Sequence, residues 1–82
     1  MVDFMMPEQI SLNVIGDVEI STVKLNSAAV AGDQYETCLF YSNGGSNVVA
    51  RYPTRERAIQ GHNRLVQHEF AHSVAKIQQE IG

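Results

Sequence analysis

The densest group of chemistry-bearing residues is His68-Glu69-Phe70-Ala71-His72. It matches the His-Glu-x-x-His pattern of zinc metallopeptidases. Two histidines one turn apart on a helix can grip one zinc ion, and the glutamate can act as general base on the bound water. A catalytic zinc also needs a third protein ligand. The tail after His72 offers only Glu80, and Ala75 and Gln78 stand where the longer metzincin pattern has Gly and His. Helical geometry turns His68 and His72 away from the apolar stripe described below, onto an exposed face. The pair is therefore read as a coincidence that takes up zinc or nickel opportunistically. A metallopeptidase-like protein is kept as the last of three alternatives. No catalytic residue, resident metal or cofactor is expected, and the chain is not read as an enzyme.

A second group is basic. Arg51, Arg55 and Arg57 lie close together in the chain, the last two just inside the start of a helix. Free N–H groups and the positive end of the helix dipole make that place favourable for phosphate and poor for arginine. A small-anion or nucleotide binder is the second alternative, against a solvated helix face as the plain one. His62 falls on the flank of the apolar stripe and reads as a hydrogen-bonded core histidine. Glu36 and Arg51 lie on strands joined by a short turn, with His62 on the helix above. The three could form a site or a network that locks helix to sheet, and the network is preferred. Cys38 has no neighbouring motif to activate it and reads as a small core hydrophobe.

These residues need elements to carry them. Ile10, Leu12 and Val14 alternate with Ser11 and Asn13, the period of a half-buried strand, and Gly16-Asp17 punctuates the chain as a hairpin turn. Val18 and Ile20 continue an alternation that switches parity at Val23 and Leu25. A bulge near Ser21-Thr22, or cover on both faces, would explain the switch. Asn26 to Gln34 reads as a loop, Tyr35 to Tyr41 as a strand, and Ser42 to Asn47 as a turn returning into Val48–Tyr52. Pro53-Thr54 announces a helix running to Glu80, with Thr54 as its cap. Ile59, Val66, Phe70, Ile77 and Ile81 fall on one stripe of it, with Val74 at the edge. Gly61 weakens that helix and implies close packing against the sheet. The predicted fold is α+β. An antiparallel sheet of Val18–Leu25, Tyr35–Tyr41 and Val48–Tyr52, with Ile10–Val14 at an edge, is followed by one long C-terminal helix, Thr54–Glu80, packed on one face.

The whole chain has 82 residues, enough for one domain, and its hydrophobic share of 44% argues against disorder. No apolar run is long enough to span a bilayer, and residues 1–7 do not form a signal peptide, so no membrane partner is expected. The net charge of -3 disfavours general nucleic-acid binding. A single cysteine fits a reducing, cytoplasmic setting.

Certain residues recur in a known order. They are Ile20-Ser21-Thr22-Val23 with Leu25, Tyr35-Glu36-Thr37 with Phe40, Arg51-Tyr52 with Thr54, and Ala58 with Gly61-His62 and Val66. This segment, over half the chain, resembles a family of small accessory proteins encoded by phages and prophages. The resemblance implies a phage-encoded protein in the bacterial cytoplasm and supplies no activity. Family members often carry Gly-Leu-Asp-His after the first matched strand. Here Asn26-Ser27-Ala28-Ala29 stands there, so no role tied to that Asp and His carries over. The leading expectation is a non-enzymatic protein that binds a host or phage macromolecule.

Length adds a prediction of self-association. A helix from Thr54 to Glu80 is about 40 Å long, whereas the strands span about 17–27 Å. Ile59 and Val66 can sit on the sheet, while Phe70, Val74, Ile77 and Ile81 overhang it. A symmetric dimer or higher closed oligomer through these helix ends is expected, with cover by Met1 to Met6, including Phe4, as its rival.

Overall fold

The computed structural model describes residues 8–25, 32 and 34–81, with helix side chains described as far as Ala75. Four strands, β1 (Glu8–Ile15), β2 (Val18–Lys24), β3 (Tyr35–Tyr41) and β4 (Ser46–Tyr52), precede one helix, α1 (Arg55–Ile81). The strands form an antiparallel meander in the order β1-β2-β3-β4, and α1 packs across it. This is the α+β arrangement that the strand and helix periodicities predict. Roles suggested for Asn26–Ala29, for Met1 to Met6 and for the Ile77 and Ile81 side chains lie outside the described residues.

Local chemistry explains the connections. Ile15 pairs with Val18 across a two-residue turn in which Gly16 takes φ 60°. Positive φ at the first central position favours glycine and matches the twist of a hairpin. The second hairpin closes over Ser42–Gly44. The Gly44 N–H donates to the Tyr41 carbonyl, and the Tyr41 N–H donates to the Gly45 carbonyl, both at 2.9 Å. This tighter loop lets β4 begin at Ser46, two residues before the predicted start. Thr54 caps α1: its Oγ1 accepts from the Arg57 N–H at 3.2 Å. Its carbonyl accepts from the Ala58 N–H at 3.0 Å.

Of the two explanations for the parity switch, a bulge near Ser21-Thr22 is absent, because β2 pairs with β3 in unbroken register from Val18 to Lys24. Ser21 and Thr22, on opposite faces, are both buried, so the strand is covered on both sides there. Irregularities fall instead between Gln9 and Ser11 on β1, and opposite Thr37/Cys38, where Val49 is the extra residue on β4. Val23 therefore stays on the face opposite Ile20 and Thr22. Strand alternation sorts the sheet into two faces. Asn13, Ile20, Thr22, Thr37, Leu39, Ala50 and Tyr52 look toward α1. The other face carries two rows across the sheet, Leu12–Ser21–Cys38–Val48 and Val14–Glu19–Phe40–Ser46.

The helix is rotated from its predicted orientation. Ala58, Gly61 and His62 are buried, while Ile59 and Val66 are half-buried and Phe70 is 60% exposed. The stripe of small and polar residues that meets the sheet sits about a quarter-turn away from the aliphatic stripe, at 3.6 residues per turn. The cause is in the sheet: a Cβ on Gly61 would run into the Tyr52 ring, 2.7 Å from its Cε1. A glycine there lets α1 approach Tyr52 so closely that His62 reaches Thr22. Among the described residues the fully enclosed centre is small, with Ile20, Leu39 and Ala58 as its buried hydrophobic members.

Candidate functional site

The buried polar centre lies between α1 and the sheet. His62, Thr22 and Thr37 are completely inaccessible to solvent. With Asn13 Oδ1 facing the ring at 2.8 Å, His62 Nε2–H donates to it. Nδ1 is then the acceptor of the Thr22 hydroxyl at 2.7 Å, and Thr22 Oγ1 accepts from Thr37 Oγ1–H at 2.6 Å. Thr22 and Thr37 are direct cross-strand partners, which sets their hydroxyls under one helical side chain. Burial pushes the His62 pKa below its ordinary value. No buried side-chain nitrogen or oxygen among the described residues lacks a hydrogen-bond partner. The core-histidine reading of His62 fits this geometry: a neutral imidazole, fully satisfied, tying helix to sheet. Its partners were not legible in the sequence, because Thr22 and Thr37 look like ordinary strand threonines until the register aligns them.

Glu36 and Arg51 do not join that network. Thr37 and Ala50 face the helix, so their neighbours Glu36 and Arg51 face the opposite way. There Arg51 Nε donates to Glu36 Oε2 at 3.1 Å. The cluster of Glu36, Arg51 and His62 is thus divided by the sheet itself. Cys38 lies beside the pair on the outer face, its Sγ 3.6 Å from Glu36 Oε1. Burial first, then the Glu36 carboxylate, raises its pKa against a smaller opposing pull from Arg51. The thiol is therefore held protonated and is a poor nucleophile.

The arginines are not gathered into one anion site. Arg51 is on the outer face, Arg55 reaches Glu8 at 3.5 Å, and Arg57 is exposed. Thr54 already occupies one of the free N–H groups at the helix start. His68 and His72 are both exposed. His72 and Glu69 line a groove of about 280 Å³ with Asp17, Ser73 and Tyr41 at the β1–β2 turn, while His68 is not part of its wall. Among the described residues no three His, Cys, Asp or Glu side chains converge as metal ligands.

The described surface also carries exposed large hydrophobic side chains. Leu12 (50% exposed), Val14 (65%), Phe40 (42%) and Val48 (46%) stand on the outer face of the sheet. Phe70 and Val74 stand on α1, with Val74 37% exposed. Glu69, His72 and Ser73 meet the far end of the sheet at Ile15–Val18, so α1 runs past the sheet beyond about that point. No described helix is long and apolar enough to cross a membrane. Against protein-family models, curated proteins and solved structures, the chain finds no match.

Proposed function

We propose that this chain is a non-enzymatic accessory protein of a phage or prophage, working in the bacterial cytoplasm by binding a host or phage protein and by self-association. The observation that carries the reading is the outer face of the sheet. Leu12, Val14, Phe40 and Val48 lie in two adjacent cross-strand rows and are each at least 42% exposed. Among the described residues few apolar side chains are enclosed, while several large ones are displayed on this one face, as on an interaction surface. Glu19 stands between Val14 and Phe40 within one row, and the Glu36–Arg51 pair borders the other row. With a net charge of -3, that border suits a protein better than a nucleic acid. The anion-binding alternative loses support because Arg51 and Arg55 are each engaged by a carboxylate. The metallopeptidase alternative loses support because His68 is outside the groove that holds Glu69 and His72.

The test compares capture by the wild-type chain with capture by a Leu12→Lys/Phe40→Lys variant, in cells carrying the phage or prophage. Both side chains are half exposed, so the variant is expected to keep its circular dichroism spectrum. Its partner should be lost. Equal capture by both proteins would retire the outer face as the binding surface.

A further inference from the structure

The self-association proposed above has a definite place in the fold. Among the described residues the sheet order leaves two edges without a strand partner, β1 and β4. Edge β4 is blunted: its ladder breaks at Val49, it carries Arg51, and Pro53 follows it. Lysine, arginine, proline and bulges are the devices that keep strand edges from pairing. Edge β1 has its irregularity near its start, and from Ser11 to Ile15 it is regular and uncharged. Its outward N–H and C=O groups form a template for another strand.

The rotation of α1 points the same way. Gly61, Arg64 and Leu65 stand over Val49, Ala50 and Tyr52, which identifies one flank of the helix with β4. His62 reaches Asn13 and Arg55 reaches Glu8, which identifies the other flank with β1. Helical geometry places Ile59, Val66 and Phe70 farther around on this second flank. This direction turns Phe70 away from the sheet, where it is exposed. Below the same edge, on the outer face, are Leu12 and Val14. An open strand edge thus has aliphatic and aromatic side chains above and below it.

We infer that two copies of this chain pair through β1, antiparallel about a two-fold axis normal to the sheet. The product is one continuous eight-stranded sheet with both helices on the same face. With Asn13 on the axis, Leu12 of each copy stands opposite Val14 of the other, an apolar cross-strand pair. The Ile59, Val66 and Phe70 flanks of the two helices then face one another across the axis. Glu8, the single charged residue of β1, lies at the end of the strand far from that axis and is already paired with Arg55. In this register Ser11–Ile15 of the two copies overlap, about 17 Å of strand, and a sheet with one helix layer is about 20 Å deep. The two copies together then cover on the order of 700 Å², the size of a small, readily reversible interface.

Three measurements on the full chain test this. By light scattering, the wild type should have twice the chain mass. A Val14→Lys/Phe70→Lys variant should have the single mass with an unchanged circular dichroism spectrum, whereas Phe40→Lys should remain dimeric. In a Cys38→Ser background, mixing Leu12→Cys protein with Val14→Cys protein should give a disulfide-linked heterodimer in excess of either homodimer. Directly opposed antiparallel residues have the Cα separation a disulfide needs. A wild type that stays monomeric at high concentration overturns the inference, as does a Val14→Lys/Phe70→Lys protein that stays dimeric. A monomer whose β1 edge instead takes up an extended peptide gives the edge to another occupant and also overturns it. Dimers lost through Phe40→Lys alone would leave self-association standing but move it to the outer face.

Discussion

His62 shows how a residue with catalytic potential becomes structural. Both ring nitrogens are used, Nε2 toward Asn13 and Nδ1 toward Thr22, and the ring has no access to solvent. Burial lowers its pKa in the folded state, so the unfolded chain binds the proton more readily. Stability is then fully present above the unfolded pKa of about 6.5 and declines as pH falls from there through the depressed folded value. Urea unfolding at successive pH values should show this decline, with a slope of at most about 1.4 kcal/mol per pH unit from this one group. A His62→Gln protein should lack that component of the slope. Thr22→Val should cost about 1–3 kcal/mol, because it strips the Nδ1 acceptor and Thr37 of their shared partner. Gly61 is the second decisive residue. Alanine would gain about 1 kcal/mol of helix propensity, yet its Cβ collides with Tyr52. Gly61→Ala is expected to destabilise by about 1–3 kcal/mol. In a Tyr52→Ala background the same change should be neutral or stabilising. A double-mutant cycle showing no coupling between the two positions would refute this packing account.

At the scale of elements, the turns and the cap do most to register the sheet. Gly16 at φ 60° sets the pairing of β1 with β2, and through it the position of Asn13 over Ile20 and beside His62. A one-residue slip there would turn Leu12 and Val14 toward the helix and Asn13 away from it. Gly16→Ala, forced into positive φ, should cost more than about 1 kcal/mol. Thr54→Ala should cost about 1 kcal/mol through the lost cap. Both are read from chemical denaturation midpoints. If Gly16→Ala has no effect, the turn geometry described for this hairpin is wrong. The two hairpins are also tied to each other, since the Ser42 N–H donates to the Asp17 carbonyl at 3.1 Å.

On the scale of the whole molecule, burial is unevenly divided. Threonines and a histidine fill much of the space under α1, while Leu12, Val14, Phe40, Val48 and Phe70 remain exposed. Each large aliphatic or aromatic side chain, if fully covered, contributes about 1.5–3 kcal/mol. A chain of this size has few other sources of stability, so coverage by a second copy should matter for its folding. The expected sign is a melting temperature that rises with protein concentration, because dissociation accompanies unfolding. For the Val14→Lys/Phe70→Lys protein the melting temperature should be lower and independent of concentration. A concentration-independent melting temperature in the wild type would place its stability entirely within one chain.

The α+β class, the strand at Tyr35–Tyr41, the turn at Gly16-Asp17, the Thr54 cap and the close packing of Gly61 are all legible in the sequence. Each depends on local chemistry: a period, a φ preference, a hydroxyl three residues ahead of an N–H. The helical wheel put His62 on the flank of the aliphatic stripe, partly covered; its complete burial came with the rotation of the helix. Which face of the helix meets the sheet was not legible. Hydrophobic periodicity points to Ile59, Val66 and Phe70, but Gly61 seated against Tyr52 rotates α1 until Ala58 and His62 lie inward. That choice depends on the shape of two surfaces in contact, and no one-dimensional pattern contains it. The division of Glu36 and Arg51 from His62 has the same origin. Closeness along strands joined by a turn brings residues near one another, but the pleat decides on which side of the sheet each side chain stands.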